Sequence, residues 1–466
     1  MNLIIIVDWR PKMLRRKVTE QLERWKGMTG KALLVTGARQ IGKSYAIREF
    51  GTRSYACYVE VNLLLDRESA DILTSAHSAS DFINRVALLS PNPLVEGDTL
   101  IFIDEVQEFP DIVTLAKALV EDGRYSFAFS GSMLGTELRG IRSFPVGYVH
   151  QLVMRPLDFE EFSWAVGIEP RFLDEVRECL RKRRPVDQAL HDVMLRNYRA
   201  YIVAGGMPEV VQNYIDSKYT LAQTRTIQEQ LILQYAQDIS KYAGKRALKV
   251  RSIFDRIPVQ LEAESRRFCV SKLDDGARYS QYDQDFLWLV SAGVGLMVSQ
   301  VTEAKSPLKR TESAGKFKLY ESDIGMLLSR YPQSTARAVY LDQKTPNLGG
   351  IYENVVAQEL AAQDIGQWYF QSDTVGEVDF IIEGKGGRVV PIEVKSGRKV
   401  RSHAAFDKLL EVGEYKIREG VVLSRNNLSC EGKVTYLPIY MTFCLDELTE
   451  RGTDAGADFI FAPALP

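Results

Sequence analysis

Eight consecutive residues constrain this chain more than any other feature. Gly37-Ala38-Arg39-Gln40-Ile41-Gly42-Lys43-Ser44 fits the pattern G-x-x-x-x-G-K-[ST]. The glycines let the backbone curl until successive N–H groups face a single anion. Within such a loop Lys43 reaches the outer phosphates of a nucleotide, and the Ser44 hydroxyl ligates Mg²⁺. The flanks agree. Ala32 to Thr36 reads as a buried strand entering the loop, and Tyr45 to Phe50 as a helix leaving it, its positive end turned to the anion.

A second strand supplies the matching acids. Leu100-Ile101-Phe102-Ile103 ends in Asp104-Glu105. Asp104 is placed to hold Mg²⁺ through water, and Glu105 to polarise the attacking water. Ser130 ends the next strand, where a polar group would contact the γ-phosphate. Arg139 and Arg142 follow. Either could act as an arginine finger, in cis or from a neighbouring copy in a homo-oligomer; the alternative is a pair of surface arginines. The chain contains no Asn-Lys-x-Asp guanine motif, so ATP is favoured over GTP.

Three pieces near the C-terminus form another constellation: Glu353 on a helical stretch, Asp379 in Gly376-Glu377-Val378-Asp379, and Glu393-Val394-Lys395. Residues i and i+2 of a strand share a face, so Glu393 and Lys395 point together. With Asp379 on a paired strand, the set matches the D…(D/E)-x-K core of restriction-endonuclease-like nucleases. Glu353, Asp379 and Glu393 make a hard oxygen site suited to Mg²⁺ or Mn²⁺, with Lys395 orienting the water. The plain alternative is a hairpin with alternating surface charges.

Composition removes other classes. The 466 residues carry a net charge of −2, with 45% hydrophobic and 26% charged residues, which excludes disorder and a wholly basic nucleic-acid coat. Five cysteines without a CxxC pair argue against a disulfide scaffold or zinc ribbon. No stretch approaches the ~20 apolar residues of a membrane helix. The expectation is a cytoplasmic protein without a membrane partner. The charge is uneven, however. Lys241 to Lys318 holds 15 basic and 9 acidic residues. Helices there are followed by a strand pair near 295–320, which fits a winged helix-turn-helix; a helical lid and linker is the other reading.

The chain resembles, from about Met13 to Leu448, a prokaryotic family of AAA-like P-loop ATPases with a C-terminal domain of unknown function that has a PD-(D/E)XK nuclease-like core. The marks are GARQIGKS, LIFIDEVQ, SGSMLG, GGMPEVV, FKLYESDIGML, GEVDFII and PIEVKSG. The resemblance implies an α/β chain in three parts. Residues 13–215 form a parallel-sheet P-loop domain, 216–330 a winged-helix-like domain, and 331–466 a restriction-endonuclease-like domain. Residues 1–12 read as an upstream extension. The expected function is ATP binding and hydrolysis coupled to nucleic acid, DNA favoured, with metal-dependent cleavage. The alternative is an ATP-driven switch whose nuclease-like domain binds a partner or nucleic acid without cutting.

Overall fold

The computed structural model describes residues 14–28, 30–132, 145–221, 223–343, 348–397 and 403–450. The chain divides into two units. The first comprises Met1–Leu157, Glu161–Ile168 and Pro208–Thr220; the second comprises Asp158–Glu160, Glu169–Met207 and Leu221–Pro466.

The first unit opens with helix α1 (Val18–Lys26), followed by strand β1 (Ala32–Thr36), helix α2 (Lys43–Ser54) and strand β2 (Cys57–Asn62). Strands β3 (Thr99–Asp104), β4 (Ser126–Gly131) and β5 (Val149–Val153) complete a parallel sheet in the order β2-β3-β4-β1-β5. Every residue of β1 and β3 is buried, which is why both read as unbroken apolar runs. On one face Ile101, Ile103, Phe127 and Phe129 pack with Phe82, Ile83 and Val86 of the helix Ala79–Leu89. Helix α1 buries Val18, Leu22 and Trp25 at three- and four-residue steps. Because β4 lies between β1 and β3, the C-terminal ends of all three strands come together. Thr36 stands opposite Gly131, and Ile103 opposite Phe129.

The second unit holds an eight-stranded mixed sheet. Its strands are β6 (Gly295–Val301), β7 (Glu312–Glu321), β8 (Gln367–Ser372), β9 (Gly376–Gly384), β10 (Arg388–Val394), β11 (Gly420–Ser424), β12 (Ser429–Glu431) and β13 (Val434–Pro438). The order is β12-β13-β11-β10-β9-β8-β6-β7. The strand pair expected as a wing is present, as antiparallel β6 and β7. It does not stand free. Strand β6 also pairs in parallel with β8, Ser299 opposite Trp368, so the hairpin extends the C-terminal sheet. The physical reason lies in β7, whose half from Phe317 to Glu321 is wholly buried and needs cover.

Helix Gly349–Ala362 is buried from Gly350 to Ala361, polar residues included. Each polar side chain has an address. Asn354 accepts the Glu321 N–H at 2.8 Å and donates to the Glu321 carbonyl at 3.0 Å. Gln358 accepts the Ile324 N–H at 2.7 Å, and Glu359 accepts the Phe159 N–H at 3.0 Å and the Tyr201 hydroxyl at 2.8 Å. These bonds offset the desolvation that burial imposes on each group.

The GGMPEVV segment has an equally local reason. Gly205 follows helix Gln188–Ala204 with φ +76°, and a Cβ there would lie 2.3 Å from Asp323 Oδ1. Asp323 itself accepts the N–H groups of Gly206 at 2.6 Å and Met326 at 2.9 Å. Substitution Gly205→Ala is therefore expected to cost about 3 kcal/mol through left-handed backbone strain and overpacking. Urea denaturation of the full chain reads this directly, and an unchanged midpoint would contradict it.

Candidate functional site

In the first unit the loop Gly37–Ser44 joins β1 to α2. Gly37 has φ +136°, and a Cβ there would fall 2.1 Å from the Met154 carbonyl oxygen. Gly42, at φ +87°, immediately precedes α2. Gln40 also has a positive φ, +61°. Ala38 and Ile41 are buried beneath the loop, whereas Arg39 and Ser44 are half-buried. Lys43 folds back and donates to the carbonyls of Gly37 at 3.1 Å and Ala38 at 2.7 Å. Burial lowers its pKa to about 8, against the opposing pull of the Glu105 and Asp104 carboxylates.

Those carboxylates stand where the strand ends predict. Asp104 is buried and oriented on both oxygens. Oδ1 accepts the Ser130 hydroxyl and the Glu105 N–H, the latter at 3.0 Å, and Oδ2 accepts Asn62 Nδ2 at 3.1 Å. Glu105 lies in the left-handed region at φ +57°, a placement that costs a non-glycine residue about 1–3 kcal/mol. Gln107 Nε2 donates to its carboxylate. The structure thus gathers Lys43, Asp104, Glu105 and Ser130 at one edge of the sheet. Arg139 and Arg142 lie outside the described residues.

Three residues that sequence reasoning overlooked complete this site. Asn62 ends β2 directly opposite Asp104 in register. Gln107 follows the two acids by one short step. Arg16 braces the loop from α1's approach: it donates to the Ile41 carbonyl at 3.1 Å, the Arg155 carbonyl at 2.7 Å and Glu161 Oε2 at 3.1 Å. Only Asn62 had a usable signal, the polar end of a strand adjoining the acidic one. Beside Gly42 a cavity of about 270 Å³ is lined mainly by apolar parts of Leu14, Tyr45, Ala46, Met154 and Pro208, with Gln212 among its polar groups.

In the second unit Glu353, Asp379, Glu393 and Lys395 also come near one another, and Glu353 and Asp379 meet further cations there. Lys318 is fully buried, with Nζ 3.2 Å from Glu353 Oε2, 3.0 Å from Glu377 Oε1 and 3.9 Å from Asp379 Oδ1. Arg266 is ion-paired with Glu353 Oε1 and lies 3.9 Å from Asp379 Oδ1. Tyr320 donates to Glu353 Oε2 at 2.8 Å, and the Val394 N–H to Asp379 Oδ2 at 2.8 Å. Lys395 pairs with Glu393 at 2.8 Å.

The electrostatics follow from this packing. Burial opposes ionisation of Glu353, but the Lys318 and Arg266 charges outweigh it and hold the carboxyl below its usual range. Burial and the adjoining Glu353 and Glu393 charges push Asp379 well above the carboxylate range. For Lys318, the surrounding carboxylates overcome burial and raise the ammonium above its usual value.

The two expected metal sites therefore differ. Asp104 offers a fixed, buried oxygen beside the phosphate loop, and with Ser44 it suits Mg²⁺. The set Glu353, Asp379 and Glu393 does not suit Mg²⁺ or Mn²⁺ as folded: Arg266, Lys318 and Tyr320 take the Glu353 oxygens, Lys395 takes Glu393 Oε1, the Val394 N–H takes Asp379 Oδ2, and both Lys318 and Arg266 stand 3.9 Å from Asp379 Oδ1. Among the described residues no group of three or more metal-type side chains is arranged to hold an ion. Sequence reasoning missed Lys318 and Arg266 because both sit in the basic stretch 241–318, where they read as surface charge.

No helix among the described residues is long and apolar enough to cross a membrane. Residues 195–335 match a family described as a domain of unknown function, DUF8612, and residues 348–441 match another, DUF4143. No curated protein matches the chain. Among solved structures, the Walker-type ATPase PABY2304 of Pyrococcus abyssi is similar at 15% identity, covering 69% of this chain and 99% of that one, with a TM-score of 0.43. AMPPCP-bound DnaA from Aquifex aeolicus gives 12% identity, 58% and 84% coverage and a TM-score of 0.27. A RuvB variant of Thermotoga maritima gives 12% identity, 71% and 93% coverage and a TM-score of 0.27. Likeness at these TM-scores carries no argument about this chain. Residues 29–163 match the family model described as an AAA domain, and within that stretch the phosphate loop sits on a parallel sheet.

Proposed function

We propose that the chain is an ATP-driven switch: the first unit binds and hydrolyses ATP, and the second is a nuclease-like fold that binds nucleic acid without cutting it. The observation that carries the non-cleaving half is Lys318, fully buried among Glu353, Glu377 and Asp379. An ammonium fixed there supplies the positive charge that a nuclease of this type would take from a metal. Exposed Lys245, Lys272 and Arg278 supply sequence-independent attraction for a phosphate backbone, DNA favoured.

In the first unit the loop amides and Lys43 hold the phosphates, and the cavity beside Gly42 accepts the base. Ser44 and Asp104 would hold Mg²⁺, which supplies charge neutralisation at the phosphate oxygens when bound. Glu105 orients and deprotonates the attacking water. Ser130 and Asn62 fix the Asp104 carboxylate, so they position rather than react. The strained backbone at Glu105 fits a group whose direction matters more than its stability.

The test is a paired assay on the purified chain. ATP hydrolysis should fall about 10²-fold or more in Lys43→Ala and in Glu105→Gln. Supercoiled, linear and single-stranded DNA should survive Mg²⁺ and Mn²⁺ intact while still binding, more weakly as salt rises. Cleavage that Asp379→Asn abolishes would overturn the reading.

Lys43 also predicts a pH dependence. Its depressed pKa leaves it neutral in the free protein above about pH 8, whereas bound phosphates restore the proton. Nucleotide binding near pH 9 should therefore take up close to one proton, and affinity should weaken as pH rises through about 8. Calorimetry in buffers of different ionisation enthalpy measures that uptake; a binding heat independent of buffer at pH 9 would count against it. For the second unit, Lys318→Ala removes the one fully buried cation of the cluster, leaving Arg266 alone to balance Glu353 and Asp379, and should cost about 3–5 kcal/mol in urea denaturation.

A further inference from the structure

The far end of the β9–β10 hairpin carries a feature that the ATPase and the nuclease-like cluster leave unused. A cavity of about 730 Å³ opens there, within the range of small-molecule sites. From Asp379 to Lys385 is six residues along β9, so at about 3.3 Å each it lies roughly 20 Å from the carboxylate cluster. Seven cationic side chains line it against two carboxylates. They arrive from five separate stretches of the chain, around 183, 305, 385–388, 416–418 and 433, which is convergence rather than a local basic run.

The cavity has a built floor. Glu419 is buried, and its Oε2 accepts from both Arg183, at 3.0 Å, and Arg388. Its Oε1 accepts the Thr435 hydroxyl at 2.7 Å. One carboxylate thus holds two guanidinium groups side by side. Arginine forks so held suit bidentate contact with phosphate oxygens. Glu383 fixes another wall by accepting from the Ser306 hydroxyl and from the Leu308 N–H at 3.2 Å. Lys416, Arg418 and Lys433 are exposed around this floor. The Tyr415 ring lines the same space and offers a stacking surface for a base.

We propose that this cavity is a second anion site, separate from the P-loop, that binds a small multiply phosphorylated ligand of the nucleoside polyphosphate class. Five positive charges in excess within one concave space match a compact polyphosphate. A nucleic-acid strand would instead be met by a stripe running across the surface. Occupancy of this site bears on the second unit directly, because the ligand would bridge the 183, 388 and 416–418 stretches.

The experiment is an equilibrium titration of the full chain with a fluorescent nucleoside triphosphate. The wild-type chain should bind two equivalents. Lys43→Ala should remove the P-loop equivalent and leave the other. The double variant Lys416→Glu/Arg418→Glu, both exposed positions, should weaken the second equivalent at least tenfold and leave the first, with thermal denaturation showing the fold intact. Inorganic tripolyphosphate should compete at the second site. A single equivalent lost entirely in Lys43→Ala would overturn the proposal, as would a second equivalent indifferent to the double variant. Displacement of the triphosphate by a short single-stranded oligonucleotide at lower concentration would also overturn it and assign the cavity to nucleic acid. Failure of Lys43→Ala to remove either equivalent would count against the P-loop reading alone.

Discussion

A single buried ammonium organises the second unit. Lys318 has no solvent and three carboxylates around it, on β9 and on the helix Gly349–Ala362. Neither party tolerates burial without the other, since an unpaired charge in the interior costs several kcal/mol. The pairing therefore fixes β7 against β9 and the central helix, and Arg266 draws the preceding segment to the same point. Around it the neutral bonds of Asn354 and Gln358 set the helix's rotation and height. Apolar packing fills the sheet, but these polar contacts select one arrangement among many of similar hydrophobic content.

The first unit solves a different problem. It must leave backbone N–H groups and carboxylates unneutralised enough to meet a ligand, yet hold them still. Strand order does most of this, because a parallel sheet brings the ends of β1, β3 and β4 to one edge. Fine positioning then falls to groups outside the motif. Arg16 pins the loop's outer carbonyl, and Asn62 with Ser130 orients Asp104.

Much of this was legible in advance, for identifiable reasons. Ala32–Thr36 and Thr99–Asp104 are fully buried strands, and their apolar runs announce it. The loop Gly37–Ser44 is a local motif whose glycines have local causes. Contacts distant in sequence were opaque. The β6–β7 hairpin reads as a wing because its partner β8 comes some sixty residues after it. Lys318 and Arg266 read as surface charge because composition cannot show which side of a strand meets carboxylates. Asp379, Glu393 and Lys395 lie together in the structure, but their D…(D/E)-x-K spacing says nothing of cations that arrive from elsewhere.

The late pairing of β6 has a consequence for synthesis. Translation delivers β6 and β7 before the helix Gly349–Ala362 and β8 exist. In that interval one edge of β6 lacks its strand, and Lys318 lacks the carboxylates that justify its burial. The hairpin must wait in an open, hydrated form, its edge available to any passing strand. A chain that stops near residue 340 is caught in that state, so its natural fate is aggregation or proteolysis rather than a smaller folded protein.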